Sequence, residues 1–126
     1  MKVTKVERLR SKEPLTLPEP WKAAWRGPKA TPITSFTFSF YKVYTDEGIV
    51  GYGPDTGCSN TNILEGVDPF HVRAFWEKYM SGRRSGNSGH GASGLEIALW
   101  DIVGKATDLP IYKLLGASMD RVPVYA

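Results

Sequence analysis

Apolar positions along this chain repeat first with a period of two and later with a helical period, so strands are expected early and helices late. Residues 2–10 carry Val3, Val6 and Leu9 in a short β-capable run that Ser11 to Pro14 stops. From Ser35 to Thr45, Phe36, Phe38 and Phe40 alternate with Thr37, Ser39 and Tyr41, which places three aromatics on one face of a strand. With helices in need of a partner surface, that face is expected to pack against them. Thr45-Asp46-Glu47-Gly48 reads as a turn, and residues 49–53 return as a second strand. Together with residues 2–10 the hairpin predicts a three-stranded antiparallel sheet.

Asp68-Pro69 opens a helix, with aspartate as cap and proline in the first turn. Val72, Phe75, Trp76 and Tyr79 mark its apolar face, and Gly82 its stop. The strongest helical pattern follows. Ala92, Leu95, Leu99, Ile102 and Ala106 recur at helical spacing, Ala98 and Val103 widen the stripe, and Asp101 and Lys105 form an i,i+4 pair. Asp108-Leu109-Pro110 breaks the helix, Ile111 to Leu115 adds a turn ended by Gly116, and Val122 to Ala126 begins another strand. Strands followed by helices predict an α+β fold: a three-stranded antiparallel β-meander, then a helical subdomain.

Three stretches are expected to be loops. Residues 11–32 hold Pro14, Pro18, Pro20, Pro28 and Pro32, together with Trp21 and Trp25. Residues 54–66 are polar, and residues 81–91 are rich in Gly and Ser and carry Arg83-Arg84.

At 126 residues, with 41% apolar and 23% charged positions, the chain fits one domain with a real core. The net charge of +3 comes without any run of like charge, which argues against nucleic-acid binding by charge alone. Cys58, the single cysteine, cannot form an internal disulfide. The N-terminus lacks an apolar signal segment, and no stretch is long and apolar enough to span a membrane, so the cytoplasm is the expected location.

Candidate chemistry is sparse. Gly51-Tyr52-Gly53-Pro54-Asp55-Thr56-Gly57 has the wrong glycine spacing for a dinucleotide loop and no helix directly after it, so a structural turn is the better reading. His71 and His90 are expected to be solvated rather than metal ligands, and no metal site is expected in the chain. Ser93 has no nucleophile elbow around it and suits a cap or packing role. Trp21 and Trp25, in a proline-rich loop, could close over a ligand or anchor on a neighbouring domain, and Arg83-Arg84 could hold a carboxylate or phosphate.

Ser93-Gly94-Leu95-Glu96-Ile97-Ala98-Leu99-Trp100-Asp101-Ile102-Val103-Gly104-Lys105-Ala106, followed by Leu109-Pro110-Ile111-Tyr112-Lys113-Leu114-Leu115-Gly116, resembles the signature segment of the mandelate racemase and muconate lactonizing enzymes of the enolase superfamily. The segments 1–10 and 45–53 resemble the opening strand and hairpin of that family, and 121–126 resembles the passage into its barrel. Two departures stand out: Gly91, a minor one, where the family often has Ala, and Pro54, where it often has Glu.

The resemblance implies an N-terminal capping domain over residues 1–121, with 122–126 beginning the first strand of a (β/α) barrel that the chain does not include. In the family, two capping-domain loops close over the active site. Here they would be residues 15–32 and 54–66, with Trp21, Trp25, Asp55, Thr56 and Asn60 as lid residues. The implied chemistry is Mg²⁺-assisted proton abstraction next to a carboxylate. Its catalytic and metal residues belong to the barrel, so none is assigned here. The parent would be a racemase, cycloisomerase or acid-sugar dehydratase acting on a small carboxylate or acid sugar, with a weak preference for the dehydratase. Alone, the chain is expected to be inactive, to lack its barrel and to form homo-oligomers. Nucleic acid and membrane are not expected partners. The alternative is a stand-alone, non-catalytic binding or self-association module.

Overall fold

The computed structural model describes residues 1–81, 91–119 and 121–123. Strands β1 (Val3–Arg10), β4 (Ser39–Thr45) and β5 (Val50–Pro54) form an antiparallel sheet in the order β1-β4-β5. Between the first two, β2 (Leu15–Trp21) and β3 (Ile33–Phe36) pair as a separate ribbon. Helices α1 (Val72–Ser81), α2 (Ala92–Thr107) and α3 (Ile111–Leu114) follow. The three-stranded sheet and the strands-then-helices order are those expected from the sequence.

Several expectations need correction. Residues 11–32 are not simply a loop. They contain β2 and a single 3-10 turn, Ala24–Arg26. The run from Ser35 to Thr45 is divided between β3 and β4, with Thr37 and Phe38 at the break. Pairing in the ribbon is Leu15↔Phe36, Thr16↔Ser35 and Trp21↔Ile33, with the register shifting in between. Pro18 and Pro20 fall inside that shift and lack the N–H that a regular ladder needs.

The second correction concerns the aromatic face. The buried face of β4 is Tyr41, Val43 and Thr45, whereas Phe36 and Phe38 are exposed and Phe40 is half-buried. Phe38 stacks on Phe40 and Phe40 tilts against Tyr52, making an aromatic row on the outer side. The register explains which face turns inward. Tyr41 lies opposite Gly53 and Val43 opposite Gly51, and the missing side chains of β5 admit α2 directly onto the sheet. A Cβ on Gly53 would stand 1.9 Å from the Gly94 carbonyl oxygen, and one on Gly51 would stand 2.3 Å from that of Ala98. The Gly-x-Gly of β5 is therefore neither a turn nor a phosphate cradle, but a seat for a helix backbone.

Leu95, Ala98, Leu99 and Ile102 of α2 are fully buried against this face, joined by Val3, Leu64, Val72 and Phe75. Each large apolar side chain so buried contributes about 1.5–3 kcal/mol. Asp68 caps the 3-10 turn that leads into α1, its side chain accepting from the Phe70 amide, as the sequence predicts. Trp76, expected on the apolar face of α1, is 42% exposed. The C-terminus of α2 is set by Asp108 in a left-handed conformation, with the Leu109 amide donating to the Gly104 carbonyl. Val122 and Pro123 form no strand, and the rest of the expected strand, 124–126, lies outside the described residues.

Candidate functional site

The lid candidates fall on two features. Trp21 and Trp25 sit on the β2–β3 ribbon, 53% and 84% exposed. Leu15, Phe36 and Phe38 are also exposed at or beside the ribbon, whose strands pack on one another and scarcely on the rest of the domain. A two-stranded ribbon has little stability of its own, and this one carries a set of exposed apolar side chains.

Asp55, Thr56 and Asn60 belong to the loop that leaves β5, and the structure engages all three within the domain. Asp55 Oδ2 accepts from Arg8 Nε at 2.6 Å, while Oδ1 accepts from the Tyr41 hydroxyl at 2.7 Å and the Gly57 amide at 2.9 Å. The same Tyr41 hydroxyl accepts from the Cys58 amide at 2.8 Å. Thr56 Oγ1 donates to the Gly91 carbonyl at 2.6 Å and accepts from the Gly94 amide at 3.0 Å, so it caps α2 from across the fold. Ser93 is exposed and plays no such part. Gly91 is more than a minor departure: at φ 110° its Cβ would stand 2.5 Å from the Cys58 nitrogen. Asn60 Oδ1 accepts from the Asn62 amide and its carbonyl from Cys58 Sγ, which leaves the exposed Ser59 and Asn60 at the outer end of the loop.

Sequence reasoning marked Asp55 and Thr56 but missed Arg8 and Tyr41, the partners of Asp55, and Cys58, which bonds Tyr41 in turn. Arg8 and Tyr41 occupy strand positions whose pattern reports only which face they share. Their register, Arg8 opposite Tyr41 on adjacent strands, brings them to one carboxylate.

Burial raises the pKa of Asp55, but the Arg8, Tyr41 and Gly57 donors together outweigh it and hold the carboxyl below its ordinary value. With the native pKa below the unfolded one, the stabilisation is complete above the unfolded range of roughly 4 and is lost as pH falls through the native value. Urea midpoints should therefore decline from neutral pH to about pH 3, and decline less in Asp55→Asn. Glu7, held low by Lys5 and the Tyr44 hydroxyl, contributes to both proteins alike, so identical declines would remove Asp55 from this account.

Among the described residues no three His, Cys, Asp or Glu side chains converge to hold a metal ion. His71 is exposed on the rim of an open groove beside α1, whereas His90, Arg83 and Arg84 lie outside the described residues. No described helix is long and apolar enough to cross a membrane.

The family model described as "Mandelate racemase / muconate lactonizing enzyme, N-terminal domain" matches residues 15–116. D-galactonate dehydratase of Pectobacterium atrosepticum is 34% identical over an alignment covering 78% of this chain and 31% of that protein. A crystal structure of an enolase-superfamily member from Polaromonas sp. JS666 superposes with a TM-score of 0.74 at 31% identity, covering 100% of this chain and 36% of that one. L-talarate dehydratase from Polaromonas sp. JS666, solved with Mg and L-glucarate, gives a TM-score of 0.65 at 26% identity, covering 94% of this chain and 36% of that one. The chain thus spans about a third of the length of the proteins it matches.

Proposed function

The chain belongs to the mandelate racemase and muconate lactonizing enzyme family, as its N-terminal domain, and from that premise we propose that it is the cap and substrate lid of an acid-sugar dehydratase. In this reading residues 1–121 form the cap, and 122–126 lead into a (β/α) barrel. The β2–β3 ribbon and the 54–66 loop close over the barrel's active site. The observation that carries the lid role is the ribbon itself, where Trp21 at the end of β2 and Trp25 in the turn that follows stand exposed on a poorly supported pair of strands. A dehydratase is favoured because a D-galactonate dehydratase and an L-talarate dehydratase are among the similar proteins.

The proposed reaction is removal of the proton next to a substrate carboxylate, with Mg²⁺ as the assisting ion. The described residues of this chain do not fit a Mg²⁺ site, since no three suitable ligands meet. The part proposed for the cap is exclusion of water and orientation of substrate.

In the cap joined to its barrel, Trp25→Ala is expected to raise KM for an acid-sugar substrate about 10-fold while kcat changes less, a loss of about 1.4 kcal/mol of binding. A panel of acid sugars that includes D-galactonate and L-glucarate, assayed with Mg²⁺, makes the comparison. Unchanged kcat/KM in both Trp21→Ala and Trp25→Ala would overturn the lid role.

A second reading, self-association without catalysis, draws on the exposed Leu109, Tyr112, Leu115 and Met119 around α3. Sedimentation of the chain alone and joined to its barrel separates the two. If the barrel covers that surface, association of the isolated chain disappears in the joined protein.

A further inference from the structure

Tyr41 is buried in the sheet and its ring could be replaced in volume by phenylalanine, yet its hydroxyl is used twice, as donor to Asp55 and acceptor from the Cys58 amide. No buried side-chain polar atom among the described residues lacks a partner. Phenylalanine here would leave the amide of buried Cys58 without an acceptor and would take one donor from Asp55. The other ties of the segment reach different elements: Asp55 bonds Arg8 on β1, its amide donates to Ser39 on β4, and Thr56 bonds both Gly91 and Gly94 at the start of α2. Among the described residues Tyr41 alone spans the turn from 55 to 58, holding Asp55 on one side and Cys58 on the other.

We infer that Tyr41 is the positioning residue of the 54–66 loop: its hydroxyl clasps Asp55 and Cys58 together over the sheet and thereby fixes where the exposed tip, Ser59 and Asn60, stands. Ser59 and the side-chain nitrogen of Asn60 are then the parts of this loop free to meet a substrate, because Asp55, Thr56 and the two Asn60 oxygens are committed to the fold. This assignment of the tip rests on the lid reading above; the clasp itself does not.

Cys58 is the only cysteine in the sequence and is buried, so its thiol reports opening of the clasp. The experiment follows labelling of the folded chain by an aromatic disulfide reagent. Tyr41→Phe is expected to label about 10-fold faster than the parent, since one buried hydrogen-bonding group no longer opposes local opening. Val43→Ala is the control. Val43 is buried on the same strand face two residues away and touches no loop hydrogen bond, so this variant should lose global stability yet label near the parental rate.

Parental labelling in Tyr41→Phe, or equal acceleration in Val43→Ala, overturns the clasp. If Tyr41→Phe does not yield folded protein, Asp55→Ala is read by the same two criteria. In the cap joined to its barrel, Tyr41→Phe should raise KM with kcat nearly unchanged, and added Mg²⁺ should not restore it. Faster labelling with both kinetic constants unchanged leaves the clasp standing and removes the lid role of its tip, so the two ideas fail separately.

Discussion

Gly53→Ala is expected to cost about 3 kcal/mol or more, the upper end of what overpacking a core does, and to be the most damaging single-methyl change in the domain. The added Cβ would stand 1.9 Å from the Gly94 carbonyl oxygen and 3.0 Å from the Ala98 nitrogen. Both obstacles are backbone of α2, so no rotamer change relieves them, and the helix must lift from β5. Lifting it strips contacts from Leu95, Leu99 and Ile102, all fully buried. The reciprocal change is a sharper test. Gly94 lies inside α2, where alanine is intrinsically favoured over glycine by about 1 kcal/mol. At this site its Cβ would meet the Pro54 carbonyl oxygen at 1.9 Å and Thr56 Oγ1 at 2.9 Å. Gly94→Ala should therefore destabilise despite its helix propensity. Neither residue has a positive φ, so the effect isolates close approach from backbone strain. Urea denaturation measures both variants, and a stabilised Gly94→Ala would refute the glycine seat.

That seat also explains what could and could not be read from the sequence. The helical stripe of α2 was legible because seven apolar positions repeat one period over four turns, and the cap at Asp68 was legible because it is local. The choice of face on β4 was not. A period of two gives two faces, and the aromatic one looked better suited to the core than Tyr41 and Val43. Deciding between them required the neighbouring strand, since only Gly51 and Gly53 opposite Val43 and Tyr41 make room for a helix. The ribbon was hidden for another reason. Pro18 and Pro20 signal a loop correctly as far as regular hydrogen bonding goes, but β2 pairs only around them, at Leu15, Thr16 and Trp21. Within the candidate site, Asp55 and Thr56 stood out as polar loop residues. Their partners Arg8, Tyr41 and Gly94 are separated from them by 14 to 47 positions, a relation that no local pattern encodes.

Asp101→Ala is expected to cost about 1.5–3 kcal/mol, the range for losing a hydrogen bond to a charged group. The sequence presents Asp101 and Lys105 as an ordinary i,i+4 pair, and an exposed pair of that kind contributes only about 0.3–0.5 kcal/mol. The structure gives both residues a second task. β5 is an edge strand, and edge strands leave amides and carbonyls open to pairing with another chain. Asp101 Oδ2 accepts from the Tyr52 amide at 2.8 Å, and Lys105 Nζ donates to the Val50 carbonyl at 2.8 Å while holding Asp101 at 2.6 Å. Lys105 Nζ also sits 4.8 Å from the Tyr52 ring centroid, closing the strand's outer rim. The size of the loss therefore decides between the two descriptions. A drop within about 0.5 kcal/mol fits a surface pair alone. A drop above about 1 kcal/mol means that α2 covers the edge of the sheet with its own side chains. Asp101→Asn keeps an oxygen for the Tyr52 amide but loses the charge that holds Lys105, so it should fall between Asp101→Ala and the parent. Light scattering adds an independent readout: Asp101→Ala should associate with rising concentration, because the Tyr52 amide becomes free to donate to a partner strand.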